Sequence, residues 1–142
     1  MKEKTLLLIK PDAVRRGLVG DILARFERKQ MRIEAIRTLS LEDQLIEQLY
    51  SEHLNNDYFP PFKDFMKSGP VIAAVIAGEG AIKAVRRING ATNPQEAAPG
   101  TIRGDYGTIT RYNLVHGSDG PKNAEREIEV LFPEYNRRNK AE

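Results

Sequence analysis

Short apolar runs alternate with amphipathic segments along the chain, a pattern typical of an α/β domain. Two continuous apolar runs, residues 5–9 and 71–77, predict buried strands. Residues 31–39 alternate apolar and polar side chains and predict another strand, and residues 113–115 predict a short fourth one.

Helical spacing occurs between these runs. Apolar side chains recur every three or four positions in four segments, residues 19–29, 41–52, 81–88 and 124–132. Residues 59–66 predict one more short helix. Residues 40–43, Ser-Leu-Glu-Asp, resemble a helix capping box with Asp in place of the usual Glu.

The remaining segments lack periodicity. Residues 55–61 are polar and contain proline, which predicts a turn. Residues 90–112 hold several glycines and prolines, and a loop this long within a compact domain is usually functional or disordered. Residues 136–142 predict a polar tail. Because no repeat or linker interrupts the chain, residues 1–142 are expected to form one domain.

The order of strands and helices is compatible with two folds. Regular alternation favours a doubly wound parallel sheet. Four strands with covering helices also fit a split βαβ sandwich of the ferredoxin-like kind. Periodicity alone does not choose between them.

Composition narrows the classes of function. The 142 residues are 40% hydrophobic and 30% charged, and a net charge of +2 is too small to indicate nucleic acid or an anionic membrane as partner. Cysteine is absent, which excludes disulfides, thiolate catalysis and cysteine-based zinc sites. The first apolar run ends at Pro11, too early for a signal-peptide core, and no run approaches the roughly 20 apolar residues of a membrane span. A cytoplasmic protein is therefore expected.

His116 is the most conspicuous candidate for chemistry. Gly117 permits a ligand to approach the backbone closely, Ser118 and Asp119 are residue types that cap helices, and Pro121 suits a first helical turn. A neutral imidazole at a strand end, just before a helix N-terminus, could attack a phosphorus atom and form a covalent intermediate. A structural histidine in a turn fits the local sequence equally well.

Charged residues elsewhere could assist such chemistry. Glu127 lies at the edge of the apolar stripe of the last predicted helix, where its carboxylate could orient the imidazole of His116. The local sequence by itself favours a solvated glutamate among Glu125, Arg126 and Glu129. Lys10 follows the first predicted strand, while Arg86 and Arg103 flank the long loop. Two arginines and a lysine suit a polyphosphate, although each alone is more ordinarily a solvated charge.

Familiar signatures of nucleotide and metal sites are missing. The chain has no G-x-x-x-x-G-K-[ST] phosphate loop and no protein-kinase motif set, so nucleotide binding would use side chains and another loop. Two histidines, His53 and His116, without any cysteine make a protein-held transition metal implausible.

Several sequence blocks together resemble the nucleoside diphosphate kinase family. They occur in the family's order over about residues 4–132: Ile-Lys-Pro-Asp-Ala-Val at 9–14, Arg-Gly-Leu-Val-Gly at 16–20, Ser-Gly-Pro-Val at 68–71, Gly-Ala-Thr-Asn-Pro at 90–94, Pro-Gly-Thr-Ile-Arg at 99–103 and Asn-x-x-His-Gly-Ser-Asp at 113–119. The last block is the most specific. The resemblance implies an α+β, ferredoxin-like sandwich with a four-stranded antiparallel sheet covered by helices.

The resemblance also implies a reaction and its residues. His116 would take the γ-phosphate of a nucleoside triphosphate and pass it to a nucleoside diphosphate in a ping-pong sequence that maintains the NTP and dNTP pools. Glu127 and Ser118 match the pair that supports the histidine. The positions matching phosphate contacts are Lys10, Tyr50, Arg86, Thr92 and Arg103, with His53 near them. Those matching base and ribose contacts are Tyr58, Phe62, Thr110, Asn113 and again Lys10.

Cofactor and partners follow from the same resemblance. Mg²⁺ is expected to arrive on the nucleotide, held mainly by phosphate oxygens. Stacking tolerates any base, and ribose and phosphate are common to all nucleotides, so broad base and sugar tolerance is expected. The chain is expected to form a homo-oligomer, a hexamer or tetramer built from dimers, and to require neither nucleic acid nor a membrane.

Some positions depart from the family's usual pattern. Tyr58 stands where phenylalanine is common, Phe62 is bulkier than the usual aliphatic residue and is expected to narrow the base slot, and Gln30 stands where glycine is usual. Further departures are Asn55-Asn56-Asp57 in place of a more basic stretch, Gly107 and Gly120-Pro121. No catalytic residue is lost, so affinity and base preference are the properties expected to differ.

Two other functions remain open. An RNA-recognition module shares the order of strands and helices, but it needs paired aromatic residues on exposed strands and residues 71–77 contain none. A regulatory homologue with weak catalysis would share the fold as well. Comparing His116→Ala with the unchanged protein separates that homologue from an active enzyme.

Overall fold

The strands form a single antiparallel sheet. The computed structural model describes the backbone of residues 2–141 and the side chains of residues 2–138. The strands in this part of the chain are β1 Lys2–Ile9, β2 Arg32–Leu39, β3 Val71–Glu79 and β4 Val115–Gly117. Their order across the sheet is β2-β3-β1-β4, and every neighbouring pair is antiparallel. This arrangement excludes the doubly wound parallel sheet and confirms the ferredoxin-like sandwich.

Helices cover both faces of the sheet. They are α1 Pro11–Arg15, α2 Val19–Arg28, α3 Asp43–Leu49, α4 Phe59–Met66, α5 Ala81–Asn89, α6 Ile102–Tyr106, α7 Pro121–Leu131 and α8 Pro133–Ala141. Leu6 and Leu8 of β1 pack with α3, α4 and α7, while Leu7 and Ile9 pack with α2 and α5 on the opposite face. Burial on both faces explains why β1 and β3 contain continuous apolar runs. None of the helices within residues 2–141 is long and apolar enough to cross a membrane.

Three local predictions differ from the structure. The last strand begins at Val115 rather than at residue 113, because Leu114 adopts a φ of +74° and breaks the extended backbone. The capping box is absent: Glu42 is the N-cap residue of α3, and its side chain makes no cap hydrogen bond. The polar segment from residue 136 continues a helix, α8, which starts at Pro133.

The aperiodic segment, residues 90–112, has a defined conformation built from short pieces. It contains α6 and two 3-10 helices, Pro94–Glu96 and Thr110–Tyr112. The Thr101 hydroxyl accepts a hydrogen bond from the N–H of Gly104 at 3.0 Å and caps α6. A Cβ at Gly104 would lie 2.0 Å from the carbonyl oxygen of Ala98, so the backbone here is packed too closely for any side chain.

The turn before β2 accommodates the unusual Gln30. This residue adopts a φ of +65°, the left-handed conformation that favours glycine. For a residue with a Cβ this conformation costs about 1 kcal/mol. The departure from glycine therefore adds strain to a turn that is not part of the cavities described below.

Candidate active site

Two adjoining cavities lie beside β4 and the segment 90–112. One has a volume of about 240 Å³ and contains His116 in its wall. The other has a volume of about 490 Å³ and is largely apolar. The residues that line both are Lys10, Tyr50, His53, Thr92 and Asn113. Together the cavities match the size and mixed polarity of a small-molecule site.

His116 is paired with a buried carboxylate. It lies in the middle of β4 opposite Leu8 of β1. Its Nε2 lies 2.7 Å from Oε1 of Glu127, and the same oxygen accepts a hydrogen bond from the Ser118 hydroxyl at 2.7 Å. The Glu127 side chain is only 3% exposed. A carboxylate in this position places the imidazole proton on Nε2, which leaves Nδ1 with its lone pair.

The start of α7 differs from the prediction that Ser118 and Asp119 cap it. The N-cap residue is Gly120, in extended conformation, and no side chain makes a cap hydrogen bond there. Pro121 does occupy the first turn. The Ser118 side chain is fully buried, and its hydroxyl donates to Glu127 instead of accepting from the helix backbone.

Lys10 is a buried cation with one amide partner. The residue is 6% exposed, and its Nζ donates to Oδ1 of Asn113 at 2.7 Å. Burial, and secondly the positive charge of Arg103, lower the pKa of Lys10 to about 7. The charged form is therefore destabilised, and an anionic ligand beside the ammonium would stabilise it.

Arg103 anchors the segment 90–112 as well as lining the cavity. Its Nε, Nη1 and Nη2 donate to the carbonyl oxygens of Asn113 at 3.0 Å, Gly90 at 2.7 Å and Val115 at 2.5 Å. Burial, and secondly the charge of Arg86, lower the pKa of Arg103 to about 10, so the guanidinium stays charged at neutral pH. This backbone-anchoring role was not predicted, because three backbone carbonyls that surround one side chain leave no sequence signature.

Tyr50 lines both cavities and contacts aromatic side chains in each. Its ring meets the His116 ring edge-on, with centroids 5.4 Å apart, and the Phe62 ring edge-on, with centroids 4.7 Å apart. The hydroxyl is buried and has no hydrogen-bond partner among the described residues. Burial, and secondly the charge of Glu127, raise the pKa of Tyr50, so the phenol stays neutral.

The second cavity is an aromatic slot open to solvent. Its wall includes Tyr58, Phe62 and Thr110. Tyr58 is 53% exposed, and Phe62 is partly buried with the Nζ of Lys10 5.5 Å from its ring centroid. Phe62 lies in the wall of the slot, and the narrowing of the slot by its bulk stays a prediction.

Several other polar lining residues were not predicted from the sequence to belong to the site. They include Glu52, Asn89, Arg111, Asp119, Asn123 and Arg126. Asn89 is almost fully buried, and neither polar atom of its amide has a partner among the described residues. Helical spacing could have identified it, because Asn89 follows Arg86 by three positions on α5.

The arrangement suits a polyphosphate. Lys10, Arg86 and Arg103 line the smaller cavity together with His116, which combines positive charge with a nucleophilic nitrogen. Within the described residues, no group of three or more His, Cys, Asp or Glu side chains could hold a metal ion. Every side chain that was predicted for the site except Ser118 lines one of the two cavities, and Ser118 contacts it through Glu127.

Comparison with known proteins identifies the family. Residues 3–137 match the family model described as nucleoside diphosphate kinase. A nucleoside diphosphate kinase of Nocardia farcinica is 53% identical over 95% of this chain and 98% of its own length, and one of Caldanaerobacter subterraneus is 50% identical over 93% and 95%. The solved structure of a Halobacterium salinarum nucleoside diphosphate kinase in complex with CDP is similar with a TM-score of 0.90 and 42% identity, covering 93% of this chain and 88% of that one. The chain therefore belongs to the nucleoside diphosphate kinase family, phosphotransferases that move a phosphate from a nucleoside triphosphate to a nucleoside diphosphate.

Proposed function

We propose that transfer proceeds in two half-reactions through a phosphohistidine at Nδ1 of His116. In the first, the Nδ1 lone pair attacks the γ-phosphorus, the bond to the β–γ bridging oxygen breaks, and a nucleoside diphosphate leaves. In the second, the terminal phosphate oxygen of another diphosphate attacks the same phosphorus and releases the neutral imidazole. The observation that carries the proposal is the 2.7 Å contact between Nε2 and Glu127, which leaves Nδ1 as the nucleophile.

The cationic side chains would neutralise the phosphates during this transfer. Phosphoryl transfer depends mainly on positioning and on stabilising charge over the phosphate oxygens. Lys10, Arg86 and Arg103 supply the charge in this proposal, while Thr92 and Tyr50 line the same space. Ser118 and Glu127 are positioning residues, because they act through His116.

The nucleoside would occupy the aromatic slot. In the proposal the base stacks on Tyr58 beside Phe62 and Thr110, and the ribose hydroxyls meet Lys10 and Asn113. The CDP complex of the Halobacterium salinarum relative supports a nucleotide in this site. Stacking depends little on base identity, so we propose that purine and pyrimidine nucleotides, with ribose or deoxyribose, are all substrates.

Mg²⁺ is proposed to enter on the nucleotide. Phosphate oxygens and water are ligands that this ion accepts readily, and it commonly binds through few protein groups. The carboxylates of Glu52 and Asp119 line the smaller cavity and fit ligands or water-bridged partners of such an ion. The ion would neutralise phosphate charge that the three cationic side chains do not reach.

Self-association and cellular role complete the proposal. We propose that the chain, as one domain, forms a hexamer or tetramer built from dimers and maintains nucleotide pools in the cytoplasm. The free edge of β2, where Ile36 is exposed, supports an interface between copies. Light scattering in solution distinguishes these assemblies from a monomer.

Steady-state kinetics test the ping-pong order. Double-reciprocal plots against the triphosphate, at several fixed concentrations of diphosphate, are expected to give parallel lines, because the first product leaves before the second substrate binds. Intersecting lines would contradict the phosphoenzyme pathway and indicate direct transfer between two bound nucleotides.

Nucleotide binding near pH 8 is expected to take up a proton at Lys10. The pKa of Lys10 is about 7 and is expected to rise when phosphates surround the ammonium, so up to about one proton binds between these two values. Affinity should therefore fall as the pH rises above about 7. Calorimetry in buffers of different ionisation enthalpy measures the uptake.

Two variants control this measurement. Lys10→Met should lose the proton uptake. Arg86→Met should bind more weakly yet retain the uptake, since it removes an exposed cationic side chain and leaves Lys10 in place. Equal uptake by Lys10→Met and the unchanged protein would show that another group titrates.

A further inference from the structure

The hydroxyl of Tyr58 is held by two polar neighbours at the open side of the aromatic slot. Asn56 Nδ2 donates to the hydroxyl oxygen at 2.9 Å. The same oxygen lies 2.5 Å from Nδ1 of His53. The Tyr58 ring is thus half exposed but attached at its far end.

The Tyr58 hydroxyl joins the three side chains in one hydrogen-bond network. An amide nitrogen only donates, so the Tyr58 oxygen accepts from Asn56. Between the hydroxyl and Nδ1 of His53 either group donates, depending on the His53 tautomer, because a phenol oxygen can accept a second hydrogen bond. In both arrangements the Tyr58 hydroxyl is held from two sides.

His53 is itself positioned by the wall of the site. Its ring centroid lies 6.3 Å from that of Tyr50 and 5.9 Å from that of Tyr58. Tyr50 in turn contacts the His116 ring. The exposed ring of Tyr58 is therefore connected through His53 to Tyr50, the most buried aromatic side chain of the site.

We propose that Asn56, Tyr58 and His53, together called the Tyr58 anchor, hold the Tyr58 ring in its base-binding orientation before a nucleotide arrives. An exposed aromatic side chain without an anchor loses rotamer freedom when a base stacks on it, at a cost that weakens binding about twofold to tenfold. The anchor removes that cost in advance. A phenylalanine at this position has no hydroxyl and cannot form the Tyr58 anchor. The inference rests on the proposed placement of the base on Tyr58.

Tyr58→Phe tests the anchor, because it keeps the ring and removes only the hydroxyl. We expect the dissociation constant of ADP, measured by calorimetry, to rise about twofold to tenfold, with a matching rise in KM and a kcat within about twofold. The constant for inorganic tripolyphosphate, which has no base, should not change. Tyr112→Phe removes an exposed hydroxyl outside both cavities and should leave both constants unaltered.

A double-mutant cycle assigns the effect to the anchor. Asn56→Ala should weaken ADP binding as well. The double variant, Asn56→Ala with Tyr58→Phe, should bind ADP no more weakly than Tyr58→Phe alone, because both changes disrupt the same anchor. An unchanged ADP constant in Tyr58→Phe, or an equal loss for tripolyphosphate, would overturn the inference. Both results are binding measurements and do not depend on catalysis. The proposed function would be refuted by a different result, namely that the unchanged protein transfers no phosphate.

Discussion

His116→Ala is expected to lower phosphotransfer by at least about a thousandfold, because the proposed pathway carries the phosphate between the two nucleotides on this imidazole. The substitution removes the proposed nucleophile, whereas the three cationic side chains that are proposed to bind phosphate remain. Nucleotide affinity should therefore change much less than the rate. A coupled assay of triphosphate formation, with calorimetric measurement of ADP binding, separates the two quantities.

His53→Ala is the matched control for this variant. The chain has only these two histidines, and both line the smaller cavity. His53→Ala should retain phosphoenzyme formation at a reduced rate, since His53 is not paired with Glu127 in the structure. If His53→Ala lost the phosphoenzyme and His116→Ala retained it, His53 rather than His116 would be the phosphate carrier.

Glu127→Ala is expected to lower kcat by about a hundredfold while changing KM by less than about threefold. Carboxylates that orient a metal-bound imidazole are worth about tenfold to a hundredfold when removed, and a loss at the upper end of this range is expected for a carboxylate that contacts His116 directly. Without the carboxylate, the imidazole loses its fixed tautomer and the buried Ser118 hydroxyl loses its acceptor. Rapid-quench measurement of phosphoenzyme formation detects the effect at the chemical step.

Glu125 provides the control on the same helix. It lies two residues away on α7 but is exposed, so Glu125→Ala should leave the rate and the thermal stability nearly unchanged. Glu127→Gln keeps the shape and one acceptor oxygen, and its rate should fall between that of Glu127→Ala and the unchanged protein. Equal rates for Glu125→Ala and Glu127→Ala would mean that the carboxylate does not support His116.

Much of the fold could be predicted from the sequence because local patterns determine it. β3 and α5 were predicted to within two residues of their observed bounds, because their apolar side chains are buried. β1 was predicted only over its buried part, residues 5–9, since its first three residues are polar or charged. Strand direction could not be read in this way, because a strand buried on both faces has the same apolar pattern in parallel and antiparallel sheets. Only the sequence blocks that resemble the family predicted an antiparallel sheet.

The site was less accessible to local reasoning because its contacts join distant positions. Asp12 accepts a hydrogen bond from the N–H of Leu114 at 3.2 Å, beside the left-handed backbone that displaces the start of β4. The three carbonyls bound by Arg103 are likewise brought together only by the folded segment 90–112. Glu127 was a candidate partner of His116 by its place at the edge of the apolar stripe, but the local sequence favoured a solvated carboxylate, and only the family's sequence blocks favoured the partner.

The central claim is tested most directly by isolating the phosphorylated protein. The protein is incubated with a triphosphate radiolabelled at the γ-phosphate, freed of nucleotide, and divided between acid and alkali. Phosphohistidine is labile in acid and stable in alkali, so the label should be lost in acid, persist in alkali, and be absent from His116→Ala. A label that survives acid, or one that His116→Ala acquires as readily as the unchanged protein, would contradict transfer through His116.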